Sequence, residues 1–138
     1  MFKLSQRSLK KMEGIDESLR QVILLAIQIT PVDFGVLSGL RTVDEQRALY
    51  AQGRTKPGKV VTYTMKSDHL TGRAVDLGAY DKGIYIPGNN AKELVLYDRI
   101  AIAMKESARQ LHVDLTHGIV VKGKLTDIGH FAVKKKEK

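Results

Sequence analysis

The stretch SDHLTGRAVD, which runs from Ser67 to Asp76, is the most informative segment of the sequence. It combines His69, Gly72 and Asp76 in a chain that has no cysteine and only four histidines. Gly72 permits a sharp bend between the two polar residues. Such a bend would let the imidazole of His69 and the carboxylate of Asp76 meet at one point, as two ligands of a metal ion. The alternative interpretation is a surface histidine and a turn aspartate.

The composition indicates a single globular domain. The chain has 138 residues, of which 43% are hydrophobic, so it is long and apolar enough to bury a core. We expect one domain over residues 1–138 that ends in a basic flexible tail at about 134–138. No apolar run reaches the roughly 18 residues that span a bilayer, and no signal peptide is visible. Without cysteine, any metal site must use His, Asp or Glu.

The chain is strongly basic, with a formal net charge of +8. This charge favours an anionic partner such as nucleic acid, a lipid headgroup surface or a cell-wall polymer. Part of the excess lies in the terminal run KKKEK, which is typical of a solvated tail. The sequence contains no helix-turn-helix, zinc-finger or RNA-recognition pattern, so we expect no specific nucleic-acid partner.

Apolar periodicity and capping residues predict four helices. They cover Ser5–Met12, Asp16–Ile29, Thr42–Gln52 and Ala91–Leu111. Thr42 with Glu45, and Asn90 with Glu93, have the spacing of N-terminal capping pairs. In the longest helix the predicted buried stripe consists of Leu94, Tyr97, Ala101, Met104, Ala108 and Leu111.

Alternating apolar residues and β-branched runs predict the strands. They include Val32–Val36, Val60–Thr64, Ala74–Tyr80, a short strand in GIYIPGNN, and short strands separated by glycine turns in the remainder of the chain. On the third of these, Val75 and Leu77 lie on the opposite face from Asp76. This order fits an α+β domain, in which helices pack on one side of a small antiparallel sheet.

A metal site built on His69 and Asp76 needs a third ligand. A catalytic zinc commonly takes three protein ligands and keeps a fourth position for water. Of the candidates His112, His117 and His130, the last has the best setting: it leads into the apolar strand HFAV, and Asp127 precedes it by three residues. A turn there would present the histidine to the metal and the aspartate, as a base, to the water.

A rival metal cluster is present in HVDLTH, where His112 and Asp114 would share one face of a strand and His117 follows. This group offers no evident base, and it would leave SDHLTGRAVD unexplained. Taken singly, each candidate also has an ordinary role, because a lone histidine is more often hydrogen-bonded than a ligand and an aspartate such as Asp127 commonly caps a turn.

The segment SDHLTGRAVD resembles the Ser-x-His-(x)6-Asp signature of the zinc D-alanyl-D-alanine peptidase family, which shares its metal-site architecture with the hedgehog signalling domain and lysostaphin-type enzymes. LSQRSLKKMEGI, TPVDFGVLSGLRTVDEQRALYAQG and DIGHF resemble the phage branch of this family, the L-alanyl-D-glutamate endopeptidase endolysins. The resemblance covers nearly the whole chain in the expected order. It implies a hedgehog/D-Ala-D-Ala peptidase-like fold.

The resemblance implies one Zn²⁺ per chain, bound by His69, Asp76 and His130, with Asp127 as the catalytic base. It also implies a single catalytic peptidase domain that hydrolyses peptidoglycan stem peptides at the L-alanyl-D-glutamate bond and thereby lyses the bacterial host. We expect a monomer that stays in the host cytoplasm until it is released to the cell wall or periplasm. The positive charge would attract it to the anionic envelope.

Three further residues are expected at the substrate. Ser67 matches the serine of the motif and would help bind substrate. Arg41, in SGLRT, matches the family arginine that faces the substrate near the metal, where a guanidinium can hold a carboxylate or stabilise an oxyanion. Its ordinary alternative is a surface ion pair. Gln46 is also expected to point toward the site.

Two other functions fit the same residues. One is a D-alanyl-D-alanine carboxypeptidase or dipeptidase with the same zinc chemistry. The other is a non-catalytic basic binding module, against which the retained Asp127 argues. The segment LTHGIVVKG departs from the family pattern, because related endolysins usually carry a Trp-Gly-Gly-Asp-Trp-like segment there and this chain has no tryptophan. Its histidine, His117, is either a cleft residue or simply exposed.

Overall fold

An antiparallel sheet with helices packed against it forms the fold. The computed structural model describes residues 1–58, 68–121 and 124–134. The helices are α1 (Gln6–Lys11), α2 (Glu17–Ile29), α3 (Val43–Ala51) and α4 (Ala91–Leu111). The strands are β1 (Asp33–Ser38), β2 (Ala74–Asp81), β3 (Ile84–Ile86), β4 (Leu115–Val121) and β5 (Lys124–Val133). A short 3-10 turn precedes β2 at Asp68–Thr71.

The four predicted helices are confirmed. Each begins directly after a residue whose side chain caps it. The N-caps are Ser5, Asp16, Thr42 and Asn90. At α3 the capping box is complete, since Thr42 and Glu45 each accept a backbone N–H from the other. Within the described ranges, no helix is both long enough and apolar enough to cross a membrane. The predicted strand Val60–Thr64 lies outside the described residues.

Strand β2 is the centre of the sheet, whose order is β1-β2-β5-β4. One edge of β2 pairs with β1, and its other edge pairs first with β5 and then with β3. In this register Asp76 lies beside Ser38 of β1 on one side and beside His130 of β5 on the other. Three adjacent strands therefore place one polar residue each in a single row.

The core lies between α2, α4 and the opposite face of the sheet. Val75 and Leu77 are buried in it, which confirms that they face away from Asp76. The predicted stripe of α4 is correct in its middle and wrong at both ends, because Leu94 and Leu111 are each 40% exposed. A helix of 21 residues is about 30 Å long and extends beyond α2, which has 13. Its terminal leucines are therefore only partly covered.

Helix α1 closes the free edge of β1. The hydroxyl oxygen of Ser8, a buried side chain, accepts a hydrogen bond of 3.0 Å from the backbone N–H of Val36. An edge strand presents unpaired backbone donors, and a buried donor without a partner is costly. A serine on the helix thus replaces the strand that β1 lacks on that side.

Replacing Ser8 by Ala should lower the free energy of unfolding by about 1–3 kcal/mol, because the buried N–H of Val36 loses its acceptor. Urea unfolding followed by circular dichroism measures the change. The matched control is Gln6→Ala, an exposed position of the same helix, which should change stability by less than about 0.5 kcal/mol. Equal stability of the two variants would contradict this role of Ser8.

Candidate metal centre

Two histidines meet at the carboxylate of Asp76. The Nδ1 atom of His130 lies 3.1 Å from Oδ1, and Nε2 of His69 lies 3.3 Å from Oδ2. One nitrogen or oxygen atom from each of the three residues lies within 4.8 Å of the other two. In the part of the chain that the structure describes, this is the one group of three such side chains with that geometry. The structure therefore brings together the three residues predicted as metal ligands.

His69 is held with one defined nitrogen toward the carboxylate. Its Nδ1 lies 2.8 Å from the carbonyl oxygen of Gly39, to which it donates a hydrogen bond, so that Nε2 is the nitrogen that faces Asp76. The ring is buried, and the predicted bend at Gly72 is confirmed by a positive φ of 71°. A carbonyl bound to the second nitrogen of a metal-ligating histidine is a common way to fix its ring.

Gly39 also permits a close approach by α1. A methyl group at this position would lie 2.2 Å from the backbone oxygen of Lys11, far inside contact distance. The last turn of α1, which carries Lys10 and Lys11, therefore lies directly against the loop that orients His69. No periodicity or motif predicted this role, and the only sequence signal is a glycine just after a strand.

The carboxylate of Asp76 is stabilised in its charged form. Burial alone would raise its pKa, but hydrogen bonds from His130 and His69 outweigh burial and hold the pKa well below its usual range. An aspartate that stays ionised is the form that binds a cation. The three side chains therefore supply one negative charge and two imidazole nitrogens.

This donor set fits a divalent ion such as zinc. Two bonds of about 2.0 Å at a tetrahedral angle hold their donor atoms about 3.3 Å apart. The imidazole nitrogens lie 3.3 Å and 3.1 Å from the carboxylate, each from a different oxygen, and one donor atom of each residue lies within 4.8 Å of the other two. Three protein ligands also leave a fourth position of a tetrahedral ion for another molecule.

Arg41 lies at the edge of the same group. Its Nη2 atom is 3.8 Å from Oδ2 of Asp76, and its Nη1 atom donates a hydrogen bond of 2.6 Å to Oε1 of Gln46. The arginine side chain is mostly buried, unlike that of an ordinary surface ion pair. Gln46 is completely buried behind it. The structure thus places the amide oxygen of Gln46 against the guanidinium of Arg41.

Two other predicted site residues are not defined by the structure. Ser67 lies outside the described residues, immediately before the 3-10 turn that carries His69. Asp127 belongs to β5, but its side chain is outside the described part. Their roles remain predictions.

The rival cluster is not assembled. His112 ends α4 as an exposed cap in the left-handed conformation, and Asp114 forms an ion pair of 3.5 Å with Lys134. His117 is half-buried, and its Nε2 lies 2.7 Å from the carbonyl oxygen of Ile128, to which it donates a hydrogen bond. His117 therefore joins β4 to β5, a role that neither sequence interpretation included.

Replacing Gly39 by Ala should weaken binding of a divalent metal by about 10–100-fold, because the added methyl group displaces the carbonyl that orients His69. Overpacking should also cost about 1–3 kcal/mol of stability. Zinc titration calorimetry and urea unfolding measure the two effects. Gly83→Ala is the control: it imposes left-handed backbone strain at a site with no atom within 4 Å, and it should leave the metal affinity unchanged. Equal affinity of the two variants would contradict this role of Gly39.

Solved structures show the same fold. The crystal structure of the Serratia marcescens L-Ala D-Glu endopeptidase ChiX matches with a TM-score of 0.78 and 31% identity, over 96% of this chain and 90% of ChiX. The vancomycin-resistance D,D-dipeptidase VanXYg, solved with a D-Ala-D-Ala phosphinate analogue, matches with a TM-score of 0.57 over 86% of this chain and 50% of its own. At 20% identity, the second match shows the fold alone. The predicted α+β peptidase fold is therefore confirmed.

Sequence relatives agree with the first of these structures. The L-alanyl-D-glutamate peptidase of Escherichia phage T5 is 27% identical over 117 residues, which cover 85% of this chain and 80% of the relative. The peptidoglycan L-alanyl-D-glutamate endopeptidase CwlK of Bacillus subtilis (strain 168) is 42% identical over 53 residues, 37% of this chain and 32% of CwlK. The family model described as phage L-alanyl-D-glutamate peptidase matches residues 1–129. This chain belongs to the phage L-alanyl-D-glutamate peptidase family.

Proposed function

We propose that this protein is a zinc-dependent endolysin that hydrolyses the L-alanyl-D-glutamate bond of peptidoglycan stem peptides. The observation that carries the proposal is the meeting of His69, Asp76 and His130 in a member of an L-alanyl-D-glutamate peptidase family. When bound by these ligands, zinc supplies Lewis acidity that polarises a carbonyl and lowers the pKa of water. The remaining chemistry falls to side chains around the three ligands.

Asp127 is the general base in this proposal. It accepts a proton from the attacking water and delivers a proton to the leaving amine. Between paired positions, β4 advances by two residues, from His117 to Ile119, while β5 advances by five over residues 126–131. The extra residues form a bulge, so Asp127 and His130 are not bound by the strict alternation of a regular strand, which would place them on opposite faces. Bulges of this kind re-aim side chains beside active sites.

Arg41 is the second charged group for the reaction. Its guanidinium, 3.8 Å from Asp76, lies where it can hold a substrate carboxylate or steady the oxyanion that develops on the attacked carbonyl. Gln46 positions it, because the amide oxygen accepts from one guanidinium nitrogen and leaves the other directed at the metal centre. Ser67 contributes to substrate binding in the same proposal.

The proposal also covers the place where the enzyme acts and its oligomeric state. A net charge of +8 favours salt-sensitive attraction to the anionic bacterial envelope. All three proposed zinc ligands come from one chain, so a monomer carries a complete metal site. As an endolysin, it would stay in the host cytoplasm until its release to the cell wall or periplasm.

Replacing His130 by Ala should abolish stem-peptide release from purified peptidoglycan, because the metal loses one of three ligands. Asp127→Asn should retain the zinc and lower kcat by about 10²–10⁴-fold, since only the base is lost. Metal analysis and mass measurement of the released fragments give both readouts, and the masses distinguish cleavage after L-alanine from cleavage between D-alanines.

His112→Ala is the matched control for the histidine, because it removes an exposed imidazole away from the three ligands, and its activity should equal that of the unmodified protein. Undiminished release of peptides by His130→Ala would overturn the proposed site. Fragments cut only between D-alanines would replace the proposed bond with that of a D-alanyl-D-alanine peptidase.

Replacing Gln46 by Leu should reduce kcat/KM about tenfold while the zinc content stays at one per chain, because Arg41 loses the acceptor that orients it. A contribution of about 1.4 kcal/mol from this bond corresponds to that factor. The double variant Arg41→Ala with Gln46→Leu should be no worse than Arg41→Ala alone, since the glutamine acts through the arginine. Additive losses would show that Gln46 acts independently.

A further inference from the structure

Two clefts of opposite character meet beside the metal centre, and Ser38 lines both. The first, of about 450 Å³, is walled by apolar side chains from several elements: Leu37, Tyr85, Pro87, Tyr97 and Ile128. The second, of about 330 Å³, is lined by the charged residues Lys10, Lys11, Glu13, Arg41 and Glu45. Ser38 is the strand neighbour of Asp76, so a peptide that crosses it also passes the proposed metal ligands.

The apolar cleft has a well-defined wall. The ring of Tyr85 is 46% exposed and lies over the sheet where Gly78 has no side chain, since a methyl group there would be 2.7 Å from the ring. The tight turn at Lys82 and Gly83, both with positive φ, fixes the strand that carries it. Asp76 and His130, the proposed metal ligands, are the charged or ionisable side chains in this lining apart from tyrosine. Apart from a metal held by those two side chains, the described residues of this lining therefore offer no cation to a substrate carboxylate.

The second cleft is cationic. Lys10 and Lys11 are exposed in the last turn of α1, whose backbone is packed against Gly39 beside the site. Of the two carboxylates in the lining, that of Glu45 is engaged at the start of α3, where it accepts the backbone N–H of Thr42. The three cations of this lining, Lys10, Lys11 and Arg41, therefore outnumber its two carboxylates.

An L-alanyl-D-glutamyl unit within a peptide likewise has one apolar side and one charged side. Alanine presents a methyl group, whereas glutamate keeps one free carboxylate, because only one of its two carboxyl groups forms the next amide. We propose that the stem peptide lies across Ser38 with its alanine side in the cleft walled by Tyr85 and its glutamate carboxylate at Lys11 and Arg41. This inference rests on the proposed function and adds a direction of binding to it.

The reverse direction is disfavoured by desolvation. It would place the glutamate carboxylate against Tyr85, Pro87 and Ile128, where the described lining has no lysine or arginine to pair with a buried charge. It would also place the alanine methyl group among the lysines of the second cleft, with which it forms no favourable interaction. The charge pattern of the two clefts therefore selects one direction, and Lys11 and Tyr85 are its specificity-determining residues.

Two synthetic stem peptides test the direction: one with the free glutamate carboxylate and one with a carboxamide in its place. In Lys11→Met, kcat/KM for the carboxylate peptide should fall about tenfold, and that for the carboxamide peptide should change less than about twofold. Lys105→Met is the charge-matched control, because this exposed lysine lies on α4, which packs on the other face of the sheet. It should leave both values unchanged.

Tyr85→Ala tests the apolar side. It should raise KM about tenfold for both peptides equally, with kcat little changed, because the ring contacts a part that the two peptides share. Ile84→Ala, on the same strand and 70% exposed, should have no effect. Thermal melting and zinc content show that each variant is folded.

The outcomes separate this inference from the proposed function. Equal losses for the two peptides in Lys11→Met, or a larger loss for the carboxylate peptide in Tyr85→Ala, would overturn the proposed direction while leaving the activity in place. Cleavage of neither peptide by the unmodified protein at full zinc content would overturn the proposed function, and the direction of binding with it.

Discussion

The carboxylate of Asp76, shared between two imidazoles, is the interaction on which the rest of the site depends. One oxygen faces His130 on the neighbouring strand, and the other faces His69 on the turn before the strand. A partly buried carboxylate is costly unless it is paired, so these contacts, or a cation in their place, stabilise the fold as well as the candidate site. The same atoms that would bind a metal thus already constrain how β2, β5 and the 3-10 turn come together.

Much of this arrangement was predictable because it is local or periodic. The helix starts follow from capping side chains such as Thr42 and Asn90, and the burial of Val75 and Leu77 follows from strand alternation. The pairing of Asp76 with a distant histidine was predictable from the chemistry of a third ligand and from the family resemblance. The terminal leucines of α4 were not, because periodicity identifies a helix face but not where the neighbouring layer ends.

The backbone contacts around the site could not be predicted from sequence patterns. Gly39 orients His69 through its carbonyl and admits α1 through its missing side chain, and both functions depend on distances between segments remote in sequence. His117 illustrates the same limit, since its hydrogen bond to Ile128 exists only because β4 and β5 are paired. A residue type indicates what a side chain can do, but its partner depends on the tertiary fold.

The two faces of the sheet have different roles, since one packs the core and the other carries the candidate metal centre. Along β2, successive side chains alternate between a core closed by α2 and α4 and a face that carries the candidate metal centre. The core face is filled by apolar groups that need no partner, so the opposite face can hold a carboxylate, two imidazoles and a guanidinium without competing for the same space. A change in substrate preference therefore need not alter the core, because Tyr85 and Lys11, the residues proposed to set that preference, both lie outside it.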